Sequence, residues 1–333
     1  MIDAFSDEQT EFARLAAKAF ASSSGGAAAP GDAEVAAARA TFAEIGLPLL
    51  AVPEEFGGAG MTETDVVLII EEAGYADVPV PIAETVGVVA PMVARYGTAE
   101  QRTRWLPALA AGDSLGTTMC PSGGLGTRRG ADLVLVEHEG RVCVAEAGGS
   151  AAGGVARAGG EVSAMGAGSA LGEPGASVPE LRTRGAWVTA ALLGGVARRL
   201  LELSAEQART REQFGAPIGS FQAVKHMLAD MAAAVESARP TAWSAARALA
   251  AGDPGSGLAA AVAKAVASRA GALANDHALQ IHGGMGFTRE HPLHRWLLYG
   301  HELQSRWGSA AMHQAALGRF AAGDASLVET FIP

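Results

Sequence analysis

Three long runs of helical periodicity in the second half of the chain limit its fold most strongly. Residues 197–212, 222–238 and 258–279 each place apolar side chains three and four positions apart, as an amphipathic helix does. Their many alanines allow close approach, and long antiparallel helices of this kind pack as a four-helix bundle. We therefore expect a four-helix bundle over residues 181–333. Pro240 removes one helical hydrogen bond, so we expect a kink or a break there.

The rest of the chain divides into two further regions. Residues 1–115 hold helical segments separated by turn-rich stretches. Between residues 116 and 180 strand-forming residues occur only in short runs, at 133–136 and 142–144, before glycine and alanine dominate. Since strands need β-branched and aromatic residues to cover a pleated face, the sheet must be small. The sequence predicts a mainly α protein with an N-terminal helical domain, a small reduced β domain and the C-terminal bundle (181–333).

Composition argues against several classes of protein. Of 333 residues, 49% are hydrophobic and 18% charged, unlike a disordered chain. The net charge of −10 comes without a basic cluster, which argues against a nucleic-acid partner. No apolar run reaches about 18 uncharged residues, so we expect no membrane span. Cys120 and Cys143 lack the His/Cys spacing of a metal site. We expect no metal, two ordinary thiols and a cytoplasmic location.

Two C-terminal motifs carry the clearest functional information. Residues 211–222 read REQFGAPIGSFQ, and residues 280–287 read QIHGGMGF. Both closely resemble segments of the acyl-CoA dehydrogenases, which are FAD enzymes, and they occur in the order and at the separation of that family. A weaker N-terminal echo lies at residues 45–58. The resemblance covers most of the chain and implies the family's helical, β and four-helix-bundle architecture.

We predict cofactor contacts for five residues, Arg211, Phe214, Gln280, Gly283 and Gly284. In the family, the residues that match Arg211, Phe214, Gln280 and Gly284 touch the FAD of a neighbouring subunit. The chemistry is suitable, because a guanidinium can pair with a pyrophosphate in a forked geometry. Adjacent glycines also let the backbone approach a dinucleotide without a Cβ in the way. A helix-end salt bridge and a glycine cap are the structural alternative.

The family's catalytic base is missing from its usual position. The residue before the glycine that matches Gly308 is most often a glutamate, which removes the α-proton of the acyl thioester; here it is Trp307. Some members carry the glutamate near the start of the first bundle helix, where this chain has Gly185 and Ala186. We therefore predict no catalytic residue. Glu302 and His301 are the candidates for a non-standard base, although Glu302 falls roughly 140° from residue 307 on a helix.

The chain's own flavin site also departs from the family. The family's middle domain carries a glycine-rich loop followed by a Trp-Ile-Thr-like segment that packs on the flavin. Residues 119–126 read MCPSGGLG here, and no such segment follows. Two further flavin-holding positions, usually threonine and glutamine, match Ser309 and Ala311.

Lost own-site residues beside retained cross-subunit residues indicate a companion subunit. The hypothesis is a non-catalytic chain that completes the FAD site of a longer acyl-CoA dehydrogenase homologue in an α2β2 complex. That complex would convert an acyl-CoA to a 2-enoyl-CoA, and relatives with unequal subunits act on bulky steroid side-chain thioesters. Two alternatives stay open: an active homo-oligomer with a non-standard base, and a flavin-free scaffold or acyl-CoA-binding protein.

Overall fold

The computed structural model describes residues 5–23, 30–120, 129–146 and 169–323. Most of the glycine-rich loop at 119–126 and most of the glycine- and alanine-rich stretch after residue 146 lie outside these ranges. The described chain is mainly helical with one small sheet, and this confirms the predicted fold class.

Helices make up the N-terminal part of the chain. Local capping explains where they begin: Thr98 and Gln101 each bond the other's backbone N–H, at 3.2 and 2.8 Å, at the start of the sixth helix. A π-helical turn, Thr85–Val89, interrupts the apolar run that follows the third helix. The helices are α1 (Asp7–Ser23), α2 (Asp32–Glu44), α3 (Glu63–Ala76), α4 (Ile82–Glu84), α5 (Ala90–Tyr96) and α6 (Ala99–Ala111).

In the part of the chain that the structure describes, the sheet has four short strands in sequential order, β1 (Gly116–Met119), β2 (Leu133–His138), β3 (Arg141–Glu146) and β4 (Ser169–Leu171). β1 pairs parallel to β2, and the other two neighbouring pairs are antiparallel. The two predicted strand-forming runs lie in β2 and β3. Thr85 connects the π turn to the sheet, because its hydroxyl donates to Gly116 O and accepts from Gly116 N, both at 3.0 Å.

The C-terminal part is the helix bundle. Its helices are α7 (Val178–Thr210), α8 (Gln222–Ala250), α9 (Ser256–His282), α10 (Leu293–Ser305) and α11 (Ala310–Ala321). A hairpin of β5 (Glu212–Gln213) and β6 (Ala216–Pro217) joins α7 to α8. α9 packs against each of the other four helices, so it forms the centre of the bundle.

Two details of the bundle differ from the sequence prediction. The predicted break at Pro240 is wrong, since α8 continues through it; Val235, Ala238 and Ala242 are buried around it, and this packing offsets the missing hydrogen bond. In α9, Val262 and Val266, two apolar side chains of the amphipathic pattern at residues 258–279, are only half-buried. The fully buried face consists of small residues and one lysine, because a central helix must let its neighbours approach closely on several sides. These residues are Ala260, Ala263, Lys264, Ala267, Ala274 and Ala278.

Close glycine contacts and buried ion pairs join the N-terminal helices to the bundle. A Cβ on Gly195 of α7 would lie 1.9 Å from Glu71 O, and one on Gly74 would lie 2.2 Å from Leu192 O. Neither position therefore tolerates a side chain. At this crossing the buried carboxylate of Glu71 pairs with Arg239 and Arg198. The N-terminal part is thus held tightly on α7 and α8.

One segment among the described residues, Ser256–Phe287, is long and apolar enough to cross a membrane by length and composition. It comprises α9 and the turn after it, and more than half of its most apolar window is buried. Core helices of bundles meet the same criterion, so this is weak evidence for a span.

Candidate functional site

The turn between α10 and α11 holds the residue at the expected base position. Trp307 has a φ of +56° and Gly308 a φ of +93°, so two consecutive residues occupy the left-handed region. The Trp307 side chain is buried, with 3% of the residue exposed. A Cβ on Gly185 would lie 2.3 Å from Trp307 Cε2. The indole therefore lies directly on Gly185 of α7.

This contact brings together the two positions where the resemblance places a catalytic glutamate. They are far apart in sequence, on α7 and after α10, yet the indole at one fills the space over the other. Neither Trp307 nor Gly185 can accept a proton. In the sequence the two positions match the family in two separate motifs. The structure shows that they form one packed site.

Next to the indole, Arg306 and Glu84 form a buried ion pair. Both side chains are about 8% exposed, and the Arg306 guanidinium donates to Glu84 and, at 3.1 Å, to Thr118 Oγ1. Glu84 also accepts from the hydroxyls of Thr117 and Thr118. Burial alone would lower the pKa of Arg306, but Glu84, Cys120 and Glu302 raise it above its usual range. Arg306 is therefore held charged by these partners, although its Nε is buried without a hydrogen-bond partner.

Sequence reasoning missed Glu84, although a signal was present. It is the one acid in the apolar run from residue 78 to residue 93, and a buried charge needs a partner. Glu84 is a poor replacement base, because the arginine and two hydroxyls hold its carboxylate in place.

Lys264 and His313 hold the backbone around Trp307. The fully buried Lys264 Nζ donates to Gln304 O at 3.1 Å, to Gly308 O at 3.0 Å and to Ser268 Oγ at 2.8 Å. His313 Nε2 donates to Trp307 O at 2.8 Å. Burial lowers the pKa of Lys264 to about 7 and that of His313 to about 4. Lys264 and Arg269 both lie on α9, but only Lys264 is buried and Arg269 is exposed.

The two candidates for a non-standard base lie elsewhere on α10. Glu302 Oε1 is 3.7 Å from Arg306 Nη1 and is ion-paired with it. His301 is exposed. Neither is placed by a described contact against the indole of Trp307.

The predicted FAD contacts lie on exposed surface. Arg211 ends α7, and Phe214 forms the tip of the β5–β6 hairpin with a φ of +54°. Phe214 is 93% exposed, and its ring meets that of Phe221 edge to face at 6.1 Å. A nearly bare phenylalanine in the left-handed region is unfavourable in a free chain, so this hairpin tip fits a surface that is covered by a partner or ligand.

Gln280, Gly283 and Gly284 lie at the end of α9, and all three are exposed. Gly283 has a φ of +60° and ends the helix. A Cβ on either glycine would meet nothing within 4 Å, so the backbone faces open space. Met285 and Phe287 next to them are also exposed large apolar residues.

These two groups share one end of the bundle. α7 and α9 both run toward it, and α8 starts there, since His277 of α9 bonds Met227 O of α8 at 3.2 Å. We call Arg211, Phe214, Gln280, Gly283 and Gly284, with their apolar neighbours Phe221, Met285 and Phe287, the bundle-end patch. Its open glycine backbone, a guanidinium and exposed aromatic rings fit a dinucleotide.

The Trp307 turn lies at the opposite end of the bundle from the patch. At about 1.5 Å per helical residue, Gly185 and Arg211 are roughly 39 Å apart along α7, and Lys264 and Gln280 about 24 Å apart along α9. The own-site positions and the cross-subunit positions of this chain are therefore separate surfaces.

Among the described residues of the turn, few side chains could hold a flavin. Ser309 caps α11, because its hydroxyl accepts from Met312 N at 3.3 Å, and Ala311 has no hydrogen-bonding side chain. In the described ranges, which omit residues 121–128 and 147–168, no group of three or more His, Cys, Asp or Glu is arranged to hold a metal ion.

The fold defines a class of protein in which helices and a small sheet precede a helix bundle. Family models agree: the acyl-CoA dehydrogenase N-terminal domain matches residues 6–113, and the C-terminal domain matches residues 182–319. The chain belongs to the acyl-CoA dehydrogenase family.

Relatives and solved structures give the same result. Acyl-CoA dehydrogenase IpdE2 of Mycobacterium tuberculosis is 31% identical over 78% of this chain and 78% of its own length. A chain in a variant of the Tcur3481–Tcur3483 steroid ACAD is 27% identical with a TM-score of 0.80, covering 96% of this chain and 99% of that one. The ChsE4–ChsE5 complex of Mycobacterium tuberculosis contains a chain that is 25% identical, with a TM-score of 0.80 and coverages of 97% and 99%.

Proposed function

We propose that this chain is the companion, non-catalytic subunit of a flavin-dependent acyl-CoA dehydrogenase complex. It completes the FAD site of a longer homologue that supplies the base, in an α2β2 assembly with one FAD for each unlike pair. The observation that carries the proposal is the indole of Trp307 packed on Gly185, which fills both positions of a possible base.

The closed state of the chain's own site supports this function. Trp307, Arg306 and Glu84 are buried, and the Glu84 carboxylate is bound by Arg306 and by the hydroxyls of Thr117 and Thr118. A catalytic carboxylate must reach the α-proton of a bound substrate. Here the space over Gly185 is occupied by an apolar ring, so proton removal has to come from another chain.

The exposed bundle-end patch supports the second part of the proposal. Covering a phenylalanine such as Phe214 is worth about 1.5–3 kcal/mol, and the free chain leaves it almost bare. When bound, FAD accepts the hydride from the substrate's β-carbon. Arg211 would pair with the pyrophosphate, and Gly283 and Gly284 would admit the cofactor close to their backbone.

The substrate and partner follow from likeness to known proteins and belong to the proposal. A steroid ACAD and a two-component complex are among the similar structures. We infer a bulky steroid side-chain CoA thioester as substrate, a longer acyl-CoA dehydrogenase as partner, and a cytoplasmic location. The product would be the 2-enoyl-CoA.

The test uses co-purification with a longer homologue and a matched pair of arginine variants. Arg211→Ala should lower the amount of FAD that the complex retains, since the pyrophosphate loses its ionic partner. The subunits themselves should stay associated. Arg209→Ala removes the same charge from an exposed position in the last turn of α7 and should leave FAD content unchanged. Equal flavin content in the two variants would refute the cross-subunit contact.

The two alternatives give different results in the same preparation. An active homo-oligomer would be yellow when purified alone and would reduce its flavin with an acyl-CoA. A flavin-free scaffold would be colourless with or without a partner. The buried indole disfavours the first alternative, and the open bundle-end patch disfavours the second.

A further inference from the structure

Lys264 is a fully buried lysine for which the proposed function has no use. Its ammonium lies within hydrogen-bond distance of three oxygens, Ser268 Oγ, Gln304 O and Gly308 O, at 2.8, 3.1 and 3.0 Å. A lysine ammonium has three N–H donors and no acceptor. Each N–H donor of the charged amine therefore has one oxygen to accept its hydrogen bond.

Two of those oxygens belong to the backbone on either side of Trp307. A non-glycine residue in the left-handed region costs of order 1–3 kcal/mol and persists only where its surroundings hold it. Here Lys264 binds the carbonyls of Gln304 and Gly308, and His313 binds that of Trp307. The turn is thus fixed by contacts from α9 and α11.

We propose that Lys264 is a positioning residue whose ammonium holds the Arg306–Trp307–Gly308 turn in place, so that the indole stays on Gly185 and encloses Cys120 behind it. Cys120 directly follows β1 and is buried. Its thiol accepts hydrogen bonds from the Arg306 guanidinium and the Trp307 N–H. It therefore reports directly on whether the turn is closed.

The charges that face Lys264 make this positioning sensitive to pH. Arg306 from the turn opposes its charge and Cys120 from the sheet side favours it, while His313 from α11 is kept neutral by burial. With the pKa of Lys264 lowered to about 7, the ammonium is present below neutral pH and is lost above it. A neutral amine keeps two N–H donors for the carbonyls of Gln304 and Gly308 and can accept from the Ser268 hydroxyl, but its bonds to the turn lose the strength that the charge gave them. The turn therefore loosens as the pH rises through 7.

The experiment measures alkylation of Cys120 in the full chain by mass spectrometry, in a Cys143→Ser background. Each rate is divided by that of the urea-unfolded chain at the same pH, which cancels thiol ionisation. Lys264→Met should raise this ratio about tenfold or more, since it removes hydrogen bonds from a charged donor. Lys225→Met, on the exposed start of α8, should leave it unchanged.

Two further measurements decide between positioning and simple packing. In the chain that keeps Lys264 the ratio should rise between pH 6 and pH 8, and in Lys264→Met it should be flat. Ser268→Ala deletes one acceptor without removing the charge and should raise the ratio several-fold. It replaces Lys264→Met in this test if that variant does not fold. An unchanged ratio in Ser268→Ala, or no pH dependence with Lys264 present, overturns the proposal. The labelling needs no flavin, so it is independent of the FAD-sharing proposal.

Discussion

Gly185→Ala should destabilise the chain because Trp307 occupies the space above Gly185. The new Cβ would lie 2.3, 2.4 and 2.6 Å from three indole atoms, far inside van der Waals contact. Such overpacking costs typically about 1–3 kcal/mol. In an unobstructed helix the same change would favour folding by about 1 kcal/mol, because glycine is a poor helix former.

Gly194→Ala, on the same helix, is the matched control. A Cβ there meets only Arg239 Cγ, at 3.9 Å, so this variant should gain up to about 1 kcal/mol. The two alanine variants should therefore differ by about 2–4 kcal/mol in the free energy of unfolding. Urea unfolding followed by circular dichroism measures this difference.

Gly185→Ala in a Trp307→Leu background tests whether the indole itself causes the loss of stability. A smaller side chain leaves room for the Cβ, so the cost should fall by about 2 kcal/mol, which appears as coupling in a double-mutant cycle. If Gly185→Ala is as well tolerated as Gly194→Ala, or if the cycle shows no coupling, the indole does not fill the base position.

Other predictions concern the ion pair, an acid-sensitive histidine and the exposed hairpin. Arg306→Met should cost about 3–5 kcal/mol in urea unfolding because it leaves Glu84 buried and unpaired, and Glu84→Gln in the same chain should recover part of the loss. Since burial holds the pKa of His313 at about 4, below the 6.5 of the unfolded chain, stability should fall by about 3 kcal/mol as the pH decreases from 6.5 to 4 and not further below; His313→Gln should lack this drop in unfolding titrations. Phe214→Ala should change the stability of the isolated chain by less than about 0.5 kcal/mol but reduce the FAD content of the complex.

Local signals made much of the fold predictable. Helix starts follow capping pairs such as Thr98 with Gln101, and the short apolar runs in β2 and β3 mark the sheet. The bundle-end patch was predictable too, since its residues lie in two short continuous motifs. Their role as FAD contacts stays a prediction.

Long-range pairing could not be predicted in the same way. Glu84 and Arg306 are 222 residues apart in sequence, and nothing in either local segment indicates that the two side chains pair. Lys264 escaped notice because its helix has two apolar faces, and the bulkier valine face is not the more deeply buried one. Pro240 was misjudged because tertiary packing on both sides outweighs one missing hydrogen bond.

The number of FAD molecules per chain in the purified complex tests the central claim most directly. If this chain contributes only the bundle-end patch and its partner supplies the base, flavin absorbance and amino-acid analysis should give one FAD for every two chains, and this chain alone should turn over no acyl-CoA. One FAD per chain, or thioester oxidation by the isolated chain, would contradict the account.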